Sequence, residues 1–265
     1  MSFAFLALLA PLAAPDAHGA TGARADTVEM RAVEPAASLD SLRRASDGAE
    51  EFPATLATFT TTLSGSLPAR TANVRLAAQA LDGAVLEPGQ VLSFNAVVGP
   101  RTRERGYEDA PVILHESRQV QTGGGVCQVA STVFVASLLA GLSPAERWRH
   151  STPVDYIPLG EDATIAWGAK DLRVRNDLAQ RVRLRVRVTG ATLTASFEGE
   201  VAEASEWELA TEERSLAADP GVTDARPGRE IELYRVRRGR DGDEERAFLH
   251  RDVFPPSRGS RREEP

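Results

Sequence analysis

Apolar positions recur along this chain in two rhythms. Between Asn73 and Gly83, residues Val74, Leu76, Ala77, Ala80 and Leu81 fall near helical spacing, with Asn73 placed as N-cap and Gly83 as the stop. A second helix is predicted from Gln128 to Ala140, ended by Gly141. Elsewhere the pattern predicts strands: "ATLATFTTTL", "LEPGQVLSFN" beyond its Pro88-Gly89 turn and through Phe94, "APVIL", "DATIAWG", "DLRVRN", "RVRLRVRVTG" and "TLTASFEG". From Arg181 to Val188, arginine alternates strictly with valine or leucine. That describes a half-buried antiparallel strand with a solvated arginine face, in preference to an anion-binding strip. Two further alternating strands flank Asp241-Gly242, a hairpin signal. The expected fold class is α+β: mainly antiparallel β with two principal helices and a C-terminal β-hairpin.

The same pattern divides the chain. An apolar run from Phe3 to Ala14, then small residues around Ala23-Arg24-Ala25, predicts a signal peptide or N-terminal anchor over 1–25, although no basic residue precedes Arg24. Residues 26–54 read as a linker, 55–200 as the core domain and 201–228 as a polar connector. The hairpin extension follows over 229–255, and 256–265 is expected to be a disordered tail. An apolar fraction of 42% supports a real core, and a net charge of −7 argues against nucleic-acid binding or a polybasic membrane surface.

Chemistry concentrates in "QTGGGVCQVAST". Cys127 is the only cysteine, so no intramolecular disulfide is possible, and four scattered histidines offer no zinc spacing. No phosphate-loop lysine accompanies the triglycine, and neither metal nor cofactor is expected. The thiol is either a small buried hydrophobe or a reactive group. Its place in the first turn of the second helix favours thiolate, because unpaired amides and the positive dipole end gather there. Those amides, with Gly125 and Gln128, are placed to receive the oxyanion of an attacked acyl carbonyl, and the glycines to leave room for substrate. His150, on a proline-bounded segment beyond the helix, is the favoured base over His115; His18 and His250 lie in the leader and the hairpin. Spacing does not choose among Asp155, Asp162 and Asp171 for the group that orients the imidazole, and Asp171 is named as the expected third member.

Three stretches in this order, "NVRLAAQALDGAVLEPGQVLSFNAVVGPRTRERGYEDAPVI", "GGGVCQVASTVF" and "AGLSPAERWRHSTPVDYIPLGEDATIAWGAKDLRVRN", resemble the VanW domain family of bacterial envelope proteins. The resemblance runs from roughly Thr55 to Gly199. It implies an exported or membrane-anchored protein of the cell envelope whose partners are peptidoglycan stem peptides. It further implies an L,D-transpeptidase that forms 3-3 cross-links through a thioester on Cys127, with His150 as base. Ser131, one turn beyond the thiol, then faces the site or packs, and Arg101 or Arg103 receives a stem carboxylate while Tyr107 lines the groove. Val133-Phe134-Val135 departs from the Leu-Tyr-Asn run of many members. The alternative is a peptidoglycan-binding or glycopeptide-resistance accessory module whose cysteine is structural.

Overall fold

Strand β1 (Ala54–Thr62) pairs antiparallel with β9 (Thr192–Gly199), which pairs with β8 (Val182–Thr189), and the short β2 (Val85–Leu86) completes a sheet ordered β1-β9-β8-β2. The computed structural model describes residues 51–114, 117–202, 207–218, 222–223, 225–238, 243–256 and 260–261. The expected leader, nearly all of the expected linker, His18, His115 and the Asp241-Gly242 turn lie outside them.

Two long helices pack on this sheet. Helix α1 (Pro68–Leu81) begins earlier than the sequence suggests, because Pro68 occupies the first turn, where its missing N–H costs nothing. Asn73 is therefore not a cap. It is fully buried in the helix, where its amide donates to the carbonyls of Glu108 at 2.8 Å and Gly124 at 3.0 Å and its oxygen accepts from the Glu108 amide at 2.8 Å. Helix α3 (Val126–Leu139) touches β1, β9, α1, the short strand β6 (Ser143–Glu146) and β10 (Glu208–Leu216). A helix enclosed on every side must be apolar all round, and nearly every residue from Val126 to Leu138 is buried. Its few polar side chains are answered, as where Thr61 and Thr132 bond at 2.9 Å between β1 and α3.

Smaller elements frame the end of α3 that carries the thiol. Strand β3 (Val91–Ser93) gives way at Phe94 to the one-and-a-half-turn helix α2 (Phe94–Val98), capped by Ser93 Oγ accepting from the Ala96 amide at 3.0 Å. The predicted strand through Phe94 thus ends at Ser93, where a capping serine outcompetes the β pattern. Strands β3, β7 (Arg173–Arg175) and β6 form a second sheet, and β4 (Asp109–Leu114) pairs with β5 (Ser117–Thr122) in a hairpin leading into the triglycine. The predicted "DATIAWG" strand is instead a loop with one isolated bridge, Ala166 to Lys170.

In the C-terminal part the expected hairpin gains a third strand. Strands β12 (Gly228–Arg238) and β13 (Glu244–Phe254) pair as expected, but β10 joins β12 from within the predicted connector. Strand β10 alternates too weakly to be seen, because its central residues are solvent-exposed. Val222–Thr223 (β11) pairs with Ser260–Arg261 (β14), so the expected disordered tail contributes a short strand. The arginine face of β8 is partly buried: Arg183 pairs with Glu198 and lies 4.9 Å from the Phe52 ring, and Arg185 meets Asp82 at 2.9 Å.

Asn73→Ala removes three hydrogen bonds made by a fully buried side chain. A loss of about 3 kcal/mol is expected, read as a lower urea midpoint at unchanged slope.

Candidate functional site

The triglycine is shaped by its neighbours. A Cβ on Gly124 would stand 2.5 Å from the Ala110 carbonyl oxygen, and one on Gly125 would stand 2.7 Å from Arg70 Cγ, at a φ of 102° that side chains avoid. The glycines let the loop press against β4 and α1, which fixes where α3 starts. The room they create is filled by the protein itself, not left for a substrate as the sequence suggested.

Cys127 follows in the first turn of α3 and is part-exposed. Its thiol donates to the Ile165 carbonyl at 3.7 Å and lies close enough to the imidazole of His150 for each to influence the other's protonation. On the far side of that ring, Asp162 Oδ2 accepts from His150 Nδ1 at 2.6 Å and from the His150 amide at 2.7 Å. With Nδ1 committed, Nε2 is the nitrogen left for sulfur. Thiol, imidazole and carboxylate stand in series, the order that nucleophilic cysteine chemistry requires.

The third member is Asp162, not Asp171. Asp171 accepts from Ser93 Oγ at 2.5 Å and from the Asn95 amide at 2.8 Å, so its carboxylate holds the start of α2. That hold reaches the site indirectly, because Asn95 Oδ1 accepts from Arg101 Nη1 at 2.7 Å. Arg101 also donates to the Gly99 carbonyl, lies 5.9 Å from the Trp167 ring and acts on the thiol through its charge. Arg103 is exposed and paired with Asp109 at 2.5 Å.

Two other expectations change. Gln128 is fully buried; its Nε2 donates to Thr61 and Thr62, and its Oε1 accepts from Arg70 at 2.7 Å, so the side chain is committed to β1 and α1 instead of an oxyanion. Tyr107 is buried in the core and does not line a groove. Ser131 packs beneath the site: it donates to the Cys127 carbonyl at 2.9 Å and accepts from the Ala163 amide at 2.9 Å, stapling α3 to the Asp162 loop. Tyr156 went unnoticed; its ring meets His150 edge-on at 6.5 Å, and its hydroxyl lies 3.4 Å from Ser131 Oγ. Trp167, 55% exposed two residues beyond Ile165, also carried no periodic signal.

Opposing forces set the protonation states. Burial pushes the Cys127 thiol up, but the neighbouring His150 imidazole, with the charge of Arg101, brings it below the ordinary cysteine value. Burial pushes His150 down, yet Asp162 and Cys127 raise it to about 9. Burial likewise pushes Asp162 up, while His150 and Arg147 hold it below the usual carboxylate range. Each partner favours the other's charged form, the direction that a thiolate–imidazolium pair requires. Among the described residues no cluster of His, Cys, Asp or Glu is arranged to hold a metal.

Residues 69–197 match the family model described as VanW like protein. The chain carries a VanW-like domain. All three members of the Cys127–His150–Asp162 series fall inside the matched segment. Over 138 residues, or 52% of this chain, the sequence is 40% identical to the uncharacterized protein YoaR of Bacillus subtilis, covering 46% of that protein. Over 110 residues, 40% of this chain, it is 33% identical to the vancomycin B-type resistance protein VanW of Enterococcus faecalis, covering 40% of that protein. The chain therefore spans less than half the length of these relatives. No solved structure matches it. Among the described residues, no helix is long and apolar enough to cross a membrane.

The VanW-like domain should show a thiol whose half-maximal alkylation lies below the ordinary value of about 8.5. Asp162→Asn removes the partner that supports the imidazolium, and with it the thiolate's own support. The alkylation midpoint of that variant should rise by about one pH unit.

Proposed function

We propose that this protein acts at bacterial peptidoglycan as a cysteine acyltransferase, an L,D-transpeptidase, and that it works outside the cytoplasm in the cell envelope. The reading is carried by one observation: an imidazole held by the Asp162 carboxylate lowers the proton affinity of a thiol at a helix start. The relation to a protein named for vancomycin resistance supports an envelope role, since glycopeptide antibiotics act on peptidoglycan.

In the first half-reaction the Cys127 thiolate attacks the amide carbonyl between the third and fourth residues of a stem peptide. A C–S bond forms and the carbonyl electrons move onto oxygen. The Cys127 amide has no backbone partner among the described residues, whereas those of Val126 and Gln128 turn back onto Gly123 and Gly125. That free donor at the positive end of α3 suits the oxyanion, where one good donor is worth about 3 kcal/mol. Collapse of the intermediate breaks the C–N bond, and the His150 imidazolium gives its proton to the departing D-alanine nitrogen. The side-chain amine of a second stem then attacks the thioester and loses a proton to His150. An amide forms, and the thiolate leaves as it began.

Arg101 is the cation assigned to a donor carboxylate, because its charge acts on the thiol and its guanidinium lies 5.9 Å from the ring of Trp167. Asp171 and Asn95 fix it there.

Incubating the chain with a tetrapeptide muropeptide and weighing the products tests the proposal. Wild type should release D-alanine and form the 3-3 dimer, while Cys127→Ala should lose at least about a thousandfold in rate and still bind. A Cys127→Ala protein indistinguishable from wild type, or a wild type that binds muropeptide and never turns it over, would make this a binding module with a structural cysteine.

A further inference from the structure

The C-terminal sheet lies outside the matched segment, yet it packs on the loop that carries Asp162. Buried Ile231 and Leu233 of β12 close over Gly160, where an added Cβ would stand 3.0 Å from Ile231. From β13, His250 Nε2 donates to the Gly160 carbonyl at 2.9 Å, and its ring lies 6.0 Å from that of Phe134 on α3. Two residues on, on the same face of β13, Asp252 receives Arg147 Nη1 on both carboxylate oxygens, at 2.6 and 2.7 Å. Arg147 then turns to Asp162: Nη2 meets Oδ1 at 2.9 Å, and Nε donates to the Asp162 carbonyl at 2.7 Å. The other oxygen of Asp162 is the one that holds His150.

The side chains of Arg147, Asp162 and Asp252 are only 7%, 5% and 6% exposed, so water cannot substitute for a missing partner. A guanidinium with one carboxylate on each side is neutralised from both and held in a single orientation. Without Asp252, Arg147 keeps its charge and turns it wholly on Asp162, competing with the imidazole for that carboxylate. The cluster then carries one positive charge too many for an imidazolium to form easily.

We infer that Asp252 is a positioning residue of the Cys127–His150 site: acting through Arg147, it fixes the carboxylate of Asp162 against the imidazole, and the C-terminal sheet is thereby part of the site. This rests on the reading of Cys127 and His150 as the working pair. The charged and titratable groups facing His150 are Asp162, Cys127 and Tyr156, with Arg149 on its carbonyl. Those facing Asp252 are Arg147 and His250, whose Nε2 lies 3.7 Å from Oδ2.

The test is the titration midpoint of His150, followed by NMR in the full chain with labelled histidine and assigned by comparison with His150→Ala. Loss of the Asp162 hold and the excess positive charge act in the same direction. Asp252→Asn should therefore lower the midpoint by at least about one pH unit, a tenfold weakening of proton affinity. Arg147→Lys keeps the charge but cannot span both carboxylates and the Asp162 carbonyl, and it should lower the midpoint as well. Arg251→Ala, on the outward face of β13, breaks a cross-strand pair with Glu232 of β12 and should leave the midpoint in place. Should Asp252→Asn fail to fold, Arg147→Lys decides alone. A folded Asp252→Asn or Arg147→Lys protein with an unmoved midpoint, or an Arg251→Ala protein that shifts equally, would overturn the inference. None of these readouts needs turnover. A chain showing the shifts but forming no cross-link keeps the linkage and loses the proposed reaction. One that cross-links with midpoints unmoved keeps the reaction and loses the linkage.

Discussion

One carboxylate, that of Asp162, organises the site from two directions. Oδ2 takes the ring and the amide of His150, and Oδ1 takes Arg147. A buried carboxylate without such partners would take up a proton, and a protonated Asp162 would neither orient the imidazole nor support its charge. The surrounding architecture follows from keeping this anion charged. The 150–162 loop is pinned to α3 by Ser131, to the β6 side by Arg147 and to the C-terminal sheet by His250.

The same constraint explains why so much of the fold is spent on so short a segment. Loops expose backbone groups that need partners, and the inner side of this one lies against protein. Its groups are answered one by one: the Ala163 amide by Ser131, the Thr164 amide by the Trp148 carbonyl, the Gly160 carbonyl by His250. His250 serves here as a neutral donor. Burial, helped by the Arg147 cation, pushes it down to about 4, so it stays uncharged beside a guanidinium it would otherwise repel.

Sequence reasoning succeeded where a local rule decided the outcome. Helix α3, strands β8 and β9 and the β12–β13 pair declare themselves by period. It went astray where the deciding partner is distant in the chain. Asn73 looks like a cap because caps are local, but its partners are 35 and 51 residues away. Spacing does not choose between Asp171 and Asp162 until the chain folds, when one meets Ser93 and the other meets His150. Strand β10 has no apolar face strong enough to read, and it exists because β12 offers it an edge.

The helix start is commonly credited with activating a thiol, and here the magnitudes argue otherwise. A helix terminus contributes typically 0.3–1 kcal/mol, whereas desolvation of a buried charge costs several. Burial is the largest influence on Cys127, and it opposes ionisation. Something stronger than the dipole must win, and the next influences in order are the hydrogen bond and charge of His150. The imidazole holds that charge only because Asp162 does not let it go. The triglycine and α3 therefore place the sulfur, but the loop from Arg147 to Ile165 supplies what lowers its proton affinity. That lowering belongs to the contact between two segments, neither of which carries it alone.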